Sequence, residues 1–154
     1  MIDNGSGALK VGFAGESGPR ATFPSVIGIP QQPMIVNKMN LRSPTYIGDD
    51  AHNQRGILDL RYPVQNGVIV DWDDMETLWH HAFHNELRIS PGIYPLLLTE
   101  TPLNPNSNRE KMAEIMFEKF RVPSLYFALQ SVLAVYGAGR TTATVLVSFL
   151  MRIN

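Results

Sequence analysis

The sequence contains no cysteine. That excludes a disulfide framework, a thiolate zinc site and a cysteine nucleophile, and it fits a reducing compartment. An excess of one charge is missing too: 13 Lys and Arg against 14 Asp and Glu leave a net charge of -1. So balanced a chain carries no electrostatic footprint for nucleic acid or for an anionic membrane. Long apolar runs are also absent, since none approaches the roughly 18 residues that span a bilayer. Met1-Ile2-Asp3 lacks the basic and apolar regions of a secretory signal. The expected location is the cytosol.

What is present reads as a globular chain. Its 154 residues are 44% hydrophobic and 18% charged, the composition and length of one ordinary domain with a sizeable core. The stretch that looks built to hold something is Asp3-Asn-Gly-Ser-Gly-Ala-Leu-Lys10. Short apolar arms on both sides predict a β-hairpin with Gly5-Ser6-Gly7 as its turn. Glycine permits positive φ and close approach of backbone to a ligand, and successive N–H groups in such a turn make a nest for anions. Ser6 can add a hydroxyl and Lys10 a cation. Asp3 can face a hydrated Mg²⁺, which usually keeps several waters. A plain Gly-Ser turn with no ligand is the alternative that these eight residues leave open.

Further along, Ala21 to Gly28 predicts a third strand, placed at an edge or a bulge by Pro24. From Pro30 to Pro44 the chain is polar with interspersed methionines, the composition of a loop or of a partner-binding surface. Arg55 to Val64 predicts a strand ended by Pro63, and Gln65-Asn66-Gly67 a turn into Val68-Ile69-Val70. Asp71 is placed to cap a helix in which Trp72, Met75, Leu78, Trp79, Ala82, Phe83 and Leu87 form one apolar stripe. Tyr94 to Glu100 is a continuous apolar run, the pattern of a buried parallel strand. Ser107 and Glu110 have capping-box spacing before a second helix, which buries Met112, Ile115, Met116 and Phe120 and stops at Pro123. Ser124 to Leu129 predicts another buried strand, Gln130 to Tyr136 a short helix, and Thr141 to Val147 a last strand. Together these make an α/β fold mixing antiparallel and parallel strands.

His80 and His84 stand i,i+4 on the first helix and could share a metal. The zinc-protease motif needs Glu where His81 stands, and no third ligand is evident nearby. Two ligands without a general base make no hydrolase, so these histidines are read as surface or packing residues.

A family resemblance then covers nearly the whole chain in order. It is carried by Asp3-Asn-Gly-Ser-Gly7, Gly12-Phe-Ala-Gly15, Phe23-Pro-Ser25, Arg55-Gly-Ile-Leu58, Trp72-Asp-Asp-Met-Glu76, Trp79-His-His81, Leu97-Leu-Thr-Glu100, Asn108-Arg-Glu-Lys-Met112 and Gly139-Arg-Thr-Thr142. The chain resembles the first part of actin and the actin-related proteins. The resemblance implies the first half of an actin-like ATPase (RNase H-like) fold: a mixed five-stranded sheet with flanking helices plus a small inserted subdomain. Residues 1–28 and 68–142 would form the large subdomain, 29–67 the small one, and 143–154 a divergent tail. It also implies ATP or ADP with Mg²⁺ or Ca²⁺. Gly5, Ser6 and Gly7 would be the phosphate loop with Lys10 reaching the phosphates, Asp3 would lie near the cation's water shell, and Gln130 would position the attacking water. Met34, Ile35, Val36, Met39 and Leu41 match the loop that docks into a neighbouring subunit. The implied partners are actin-like subunits and actin-binding proteins, in the cytoplasm and cytoskeleton.

The sequence also departs from that pattern. After Gly139-Arg-Thr-Thr142 the family continues into a second phosphate loop, Asp-Ser-Gly-Asp-Gly. This chain has Val147-Ser148-Phe149-Leu150-Met151. Valine can neither orient water nor neutralise a cation, and Phe149 puts a side chain where backbone must approach phosphate. Asn66 stands where actins usually carry a modified histidine. Changes concentrated in the last eight residues suggest a truncated or frame-altered product. Two classes follow: an ATP-binding filament subunit, or a non-catalytic remnant or interaction module without an ATP cycle. ATP hydrolysis is not expected of this chain.

Overall fold

Alternating burial builds the first hairpin. In a computed structural model that describes residues 1–31 and 45–146, β1 (Ile2–Asn4) and β2 (Ala8–Val11) pair antiparallel, with Ile2, Leu9 and Val11 inside. β3 (Ala21–Pro24) adds antiparallel beside β2. The single strand expected over residues 21–28 is in fact two. Pro24 ends the first ladder, and the Val26 N–H turns back to the Pro24 carbonyl at 2.9 Å. β4 (Ile27–Pro30) then leaves for a different sheet. A proline with no N–H to donate sits where pairing stops.

That second sheet has the order β5-β4-β6, with β5 at Tyr46–Ile47 and β6 at Leu58–Arg61. The strand expected from Arg55 is shorter than predicted, because the Ile57 N–H closes a turn onto Gln54. A short helix, α1 (Asp49–Asn53), buries Ala51 against the sheet. Gly28 makes room for it: a Cβ there would stand 2.7 Å from the Leu58 side chain and 3.2 Å from that of Ala51. A small hairpin follows, β7 (Val64–Gln65) and β8 (Val68–Ile69). Its turn residues Asn66 and Gly67 have φ of 51° and 78°, the left-handed pair a two-residue hairpin turn demands.

α2 (Trp72–His81) runs on through a wider turn at Ala82–Glu86. The Asp71 carboxylate accepts from the Asp74 N–H at 2.9 Å, as a capping residue should. Met75, Leu78, Trp79, Ala82, Phe83 and Leu87 are all buried, so the apolar stripe is the core face. β9 (Leu96–Glu100) lies parallel to β1, and β10 (Leu125–Leu129) parallel to β9. The main sheet therefore has five strands in the order β10-β9-β1-β2-β3. β9 lies inside the sheet, between β10 and β1, and Leu96, Leu98, Thr99 and Glu100 are buried, as a buried parallel strand requires.

Between them, α3 (Asn106–Glu114) continues through Ile115–Lys119 and buries Met112, Ile115, Met116 and Phe120. The expected capping box does not form. The helix starts at Asn106 behind Pro105, so Ser107 already lies inside its first turn, and no side chain caps it. Its end is set by Arg121 at φ 56°, ahead of Pro123. Phe120 meets the rings of Trp79 and Phe83 edge-on or tilted, which joins both helices over the sheet.

Two further expectations are corrected. β10 is an edge strand, with Tyr126 67% exposed, because among the described residues it pairs with β9 alone. α4 (Gln130–Gly137) follows it and buries no residue, and residues 141–146 form no strand. Their β-branched composition favours extended backbone, yet a strand also needs a neighbour to pair with. Met34, Ile35, Val36, Met39, Leu41 and the segment from Val147 onward lie outside the described residues.

Candidate functional site

The tip of the first hairpin is held from two sides. Ser25 donates its hydroxyl to the Gly5 carbonyl at 2.6 Å and its N–H to the Gly7 carbonyl at 3.3 Å. Every described peptide bond is trans, so the Ser6 N–H points opposite to the Gly5 carbonyl and away from Ser25. On the other side, the Gly67 N–H donates to Ser6 Oγ at 2.8 Å. This bond uses one lone pair of the Ser6 hydroxyl and leaves its proton for another acceptor. The glycines differ. A Cβ on Gly5 would stand 2.4 Å from the Ala8 carbonyl oxygen, whereas one on Gly7 would meet nothing within 4 Å. Gly5 is thus required by the turn itself, and Gly7 leaves open space beside it.

At the base of the hairpin, side chains from three elements converge on one carboxylate of a fourth. Asp3 Oδ1 accepts from Thr99 Oγ1 at 2.6 Å and from Gln130 Nε2 at 2.9 Å. Asp3 Oδ2 accepts from Lys10 Nζ at 3.3 Å. Lys10 faces Asp3 directly across the β1–β2 ladder. Gln130 opens α4 right after β10, and Thr99 sits near the end of β9. Parallel strands β9 and β10 thus deliver their carboxyl-terminal ends to the same edge as the hairpin turn. Behind this layer, Asn4 is fixed by three bonds: its N–H to Thr99 Oγ1 at 3.1 Å, its Nδ2 to the Thr99 carbonyl at 3.4 Å, and its Oδ1 from the Trp79 indole at 3.0 Å.

Of the residues singled out from sequence, Asp3, Lys10 and Gln130 come together in space, and Gly5, Ser6 and Gly7 form the adjoining turn. Sequence reasoning missed Thr99, Asn4, Ser25 and Gly67 as members of this constellation. The signal for Thr99 was a hydroxyl in an otherwise apolar strand, next to the buried Glu100. That Glu100 has its own partner, Arg109, whose guanidinium donates to both carboxylate oxygens at 2.5 and 3.1 Å.

The other candidates behave differently. The His80 and His84 rings are exposed, with centroids 4.3 Å apart. His81 instead packs edge-on against Phe23 and contacts Glu86 at 3.1 Å. Among the described residues no group of three His, Cys, Asp or Glu is arranged to hold a metal. Cavities of about 300 Å³ beside Phe13 and Tyr94 and about 390 Å³ beside His80 have neither Asp3 nor Gln130 in their walls. No described helix is long and apolar enough to cross a membrane.

One comparison bears on this arrangement: the family model described as Actin matches residues 1–148.

Proposed function

This chain belongs to the actin family, and from that premise we propose that it is an actin-like cytoskeletal protein that contacts ATP or ADP through its first hairpin. The observation that carries the proposal is the convergence of Lys10, Gln130 and Thr99 on Asp3 beside the Gly5-Ser6-Gly7 turn. The roles follow from the chemistry of the groups. The Ser6 N–H and hydroxyl proton are donors for phosphate oxygens, and Lys10 supplies the counter-charge. Asp3 Oδ2 can accept from the waters of Mg²⁺ or Ca²⁺, which retain part of their hydration shell. The residues present fit one wall of a site for a phosphate and a hydrated cation. At the level of fold, the order β3-β2-β1 antiparallel followed by β9-β10 parallel supports an RNase H-like half, with the sheet β5-β4-β6 as its inserted part. In a filament, Met34, Ile35, Val36, Met39 and Leu41 would meet a neighbouring actin-like subunit, in the cytoplasm.

A second reading is favoured by one specific observation, the sequence Val147-Ser148-Phe149 where the family carries its second phosphate loop. In this reading the chain keeps actin-like surfaces without an ATP cycle. Phosphoryl transfer to water depends on positioning and on charge placed around the transition state. Losing one preorganised donor commonly costs about 3 kcal/mol or more of that stabilisation. Calorimetric titration with Mg-ATP, paired with a phosphate-release assay, separates the readings. Binding with steady phosphate release, both lost in Ser6→Ala and Lys10→Ala, is the result expected of a working ATPase subunit. Weak binding sensitive to the same changes, with no phosphate release, is expected of the second reading. No binding of any kind would remove the nucleotide from both.

A further inference from the structure

We infer that Thr99 is a positioning residue of the candidate phosphate site, whose hydroxyl fixes how the Asp3 carboxylate is turned and shares with Asp3 the inward-facing nitrogen of the Gln130 amide. The inference rests on the phosphate-site reading for its ligand and on hydrogen-bond chemistry for everything else. The indole N–H of Trp79 can only donate. It meets the Asn4 side chain at 3.0 Å, so the atom there must be the amide oxygen. The Asn4 nitrogen is then the end that faces the Thr99 carbonyl, itself only an acceptor.

Two donors reach Thr99 Oγ1: the Asn4 backbone N–H at 3.1 Å and Gln130 Nε2 at 3.3 Å. They use its two acceptor positions, and its single proton goes to the remaining neighbour, Asp3 Oδ1, at 2.6 Å. Asp3, ion-paired to Lys10, offers that oxygen only as an acceptor. Gln130 must therefore turn its nitrogen inward, to Asp3 and Thr99 together. Its carbonyl oxygen is left on the outer side, the end able to accept a proton from a water. With Oδ1 occupied twice, Asp3 has only Oδ2 to share between Lys10 and a ligand. Thr99 itself is 2% exposed, too buried to reach a ligand directly. It acts through Asp3 and Gln130, as outer partners orient the groups that bind.

The test compares Thr99→Val, which keeps the shape and removes the hydroxyl, with Thr99→Ser, which keeps the hydroxyl. In the ligand-free chain the side-chain amide resonances of Gln130 should move in Thr99→Val and stay in Thr99→Ser. Binding of Mg-ADP should weaken about ten- to a hundredfold in Thr99→Val and be preserved in Thr99→Ser. Unmoved Gln130 resonances in Thr99→Val, or Mg-ADP binding equal to that of the parent, would overturn the role given to Thr99. Should Thr99→Val not fold, the parent chain decides: a hydroxyl proton held between Thr99 and Asp3 is expected to exchange slowly enough to be seen, and a freely exchanging one overturns the assignment. If the parent chain does not bind Mg-ADP, the phosphate reading falls while the Gln130 amide spectrum still judges Thr99.

Discussion

The indole of Trp79 donates to the side-chain oxygen of Asn4 at 3.0 Å, joining residues 75 positions apart in a bond shut off from solvent. Trp79 is fully buried in the apolar stripe of α2, and Asn4 ends the strand that leads into the hairpin turn. The bond therefore ties the core helix to the base of the candidate site. In Asn4→Ala, the Trp79 N–H and the Thr99 carbonyl both lose a partner. Each buried group left unpaired costs about 1–3 kcal/mol. Urea unfolding should show a lower midpoint with an unchanged slope. A change below about 0.5 kcal/mol, the size expected of an ordinary surface substitution, would mean the bond contributes little.

The two hairpin glycines should respond oppositely to alanine. Gly5→Ala forces a methyl to within 2.4 Å of the Ala8 carbonyl oxygen, and that neighbour is backbone and cannot step aside. Overpacking of this kind costs about 1–3 kcal/mol. Gly7→Ala meets nothing within 4 Å and should stay within about 0.5 kcal/mol of the parent. Thermal melts of the two variants side by side check this, and equal losses would contradict it.

Asp74 gives the fold a pH dependence of unusual sign. Burial, with the nearby Asp71 charge, raises its pKa above 3.8, against the pull of Arg61 at 3.4 Å. The folded chain thus keeps this proton to higher pH than the unfolded chain does. Between 3.8 and the folded value the native state binds more protons, so the contribution of Asp74 to stability falls as pH rises. Asp74→Asn removes the buried charge and keeps an oxygen for Arg61. It should melt at a higher temperature than the parent near neutral pH, with the difference shrinking on acidification toward 3.8. A lower melting temperature at neutral pH would show that the charge stabilises.

The edge of β10, unpaired among the described residues, should promote association. Its five residues, Leu125 to Leu129, carry no charge and no proline, and Tyr126 is 67% exposed. Val132 and Tyr136 on the adjoining α4 are exposed as well. An apolar edge of that kind invites strand pairing between chains, which a lysine would discourage. The parent is expected to elute earlier from size exclusion as concentration rises and to take up hydrophobic dye, and Tyr126→Lys to do less of both. A monodisperse parent with little dye uptake would refute this.

The sequence alone determined whatever a few neighbouring residues can encode. The glycines and small residues of 5–7 fix a turn, Asp71 fixes a helix start, and steps of three and four from Trp72 to Leu87 fix a buried face. The unbroken apolar run from Leu96 to Leu98 likewise announced a strand covered on both sides. Where competing local signals exist, the reading went wrong: Ser107 and Glu110 matched a cap that Pro105 pre-empts, and Ala21 to Gly28 looked like one strand because nothing local says that β4 leaves for another sheet. Only the tertiary structure decided that Asp3, Thr99 and Gln130 share one set of hydrogen bonds, at separations of 96 and 127 residues. That sharing depends on the strand order β10-β9-β1-β2 and on the registers that align Ala128 with Thr99 and Asp3 with Lys10. A hydrogen bond needs its atoms within a few tenths of an ångström, and pairing of that accuracy arises only after distant strands have packed around a common core.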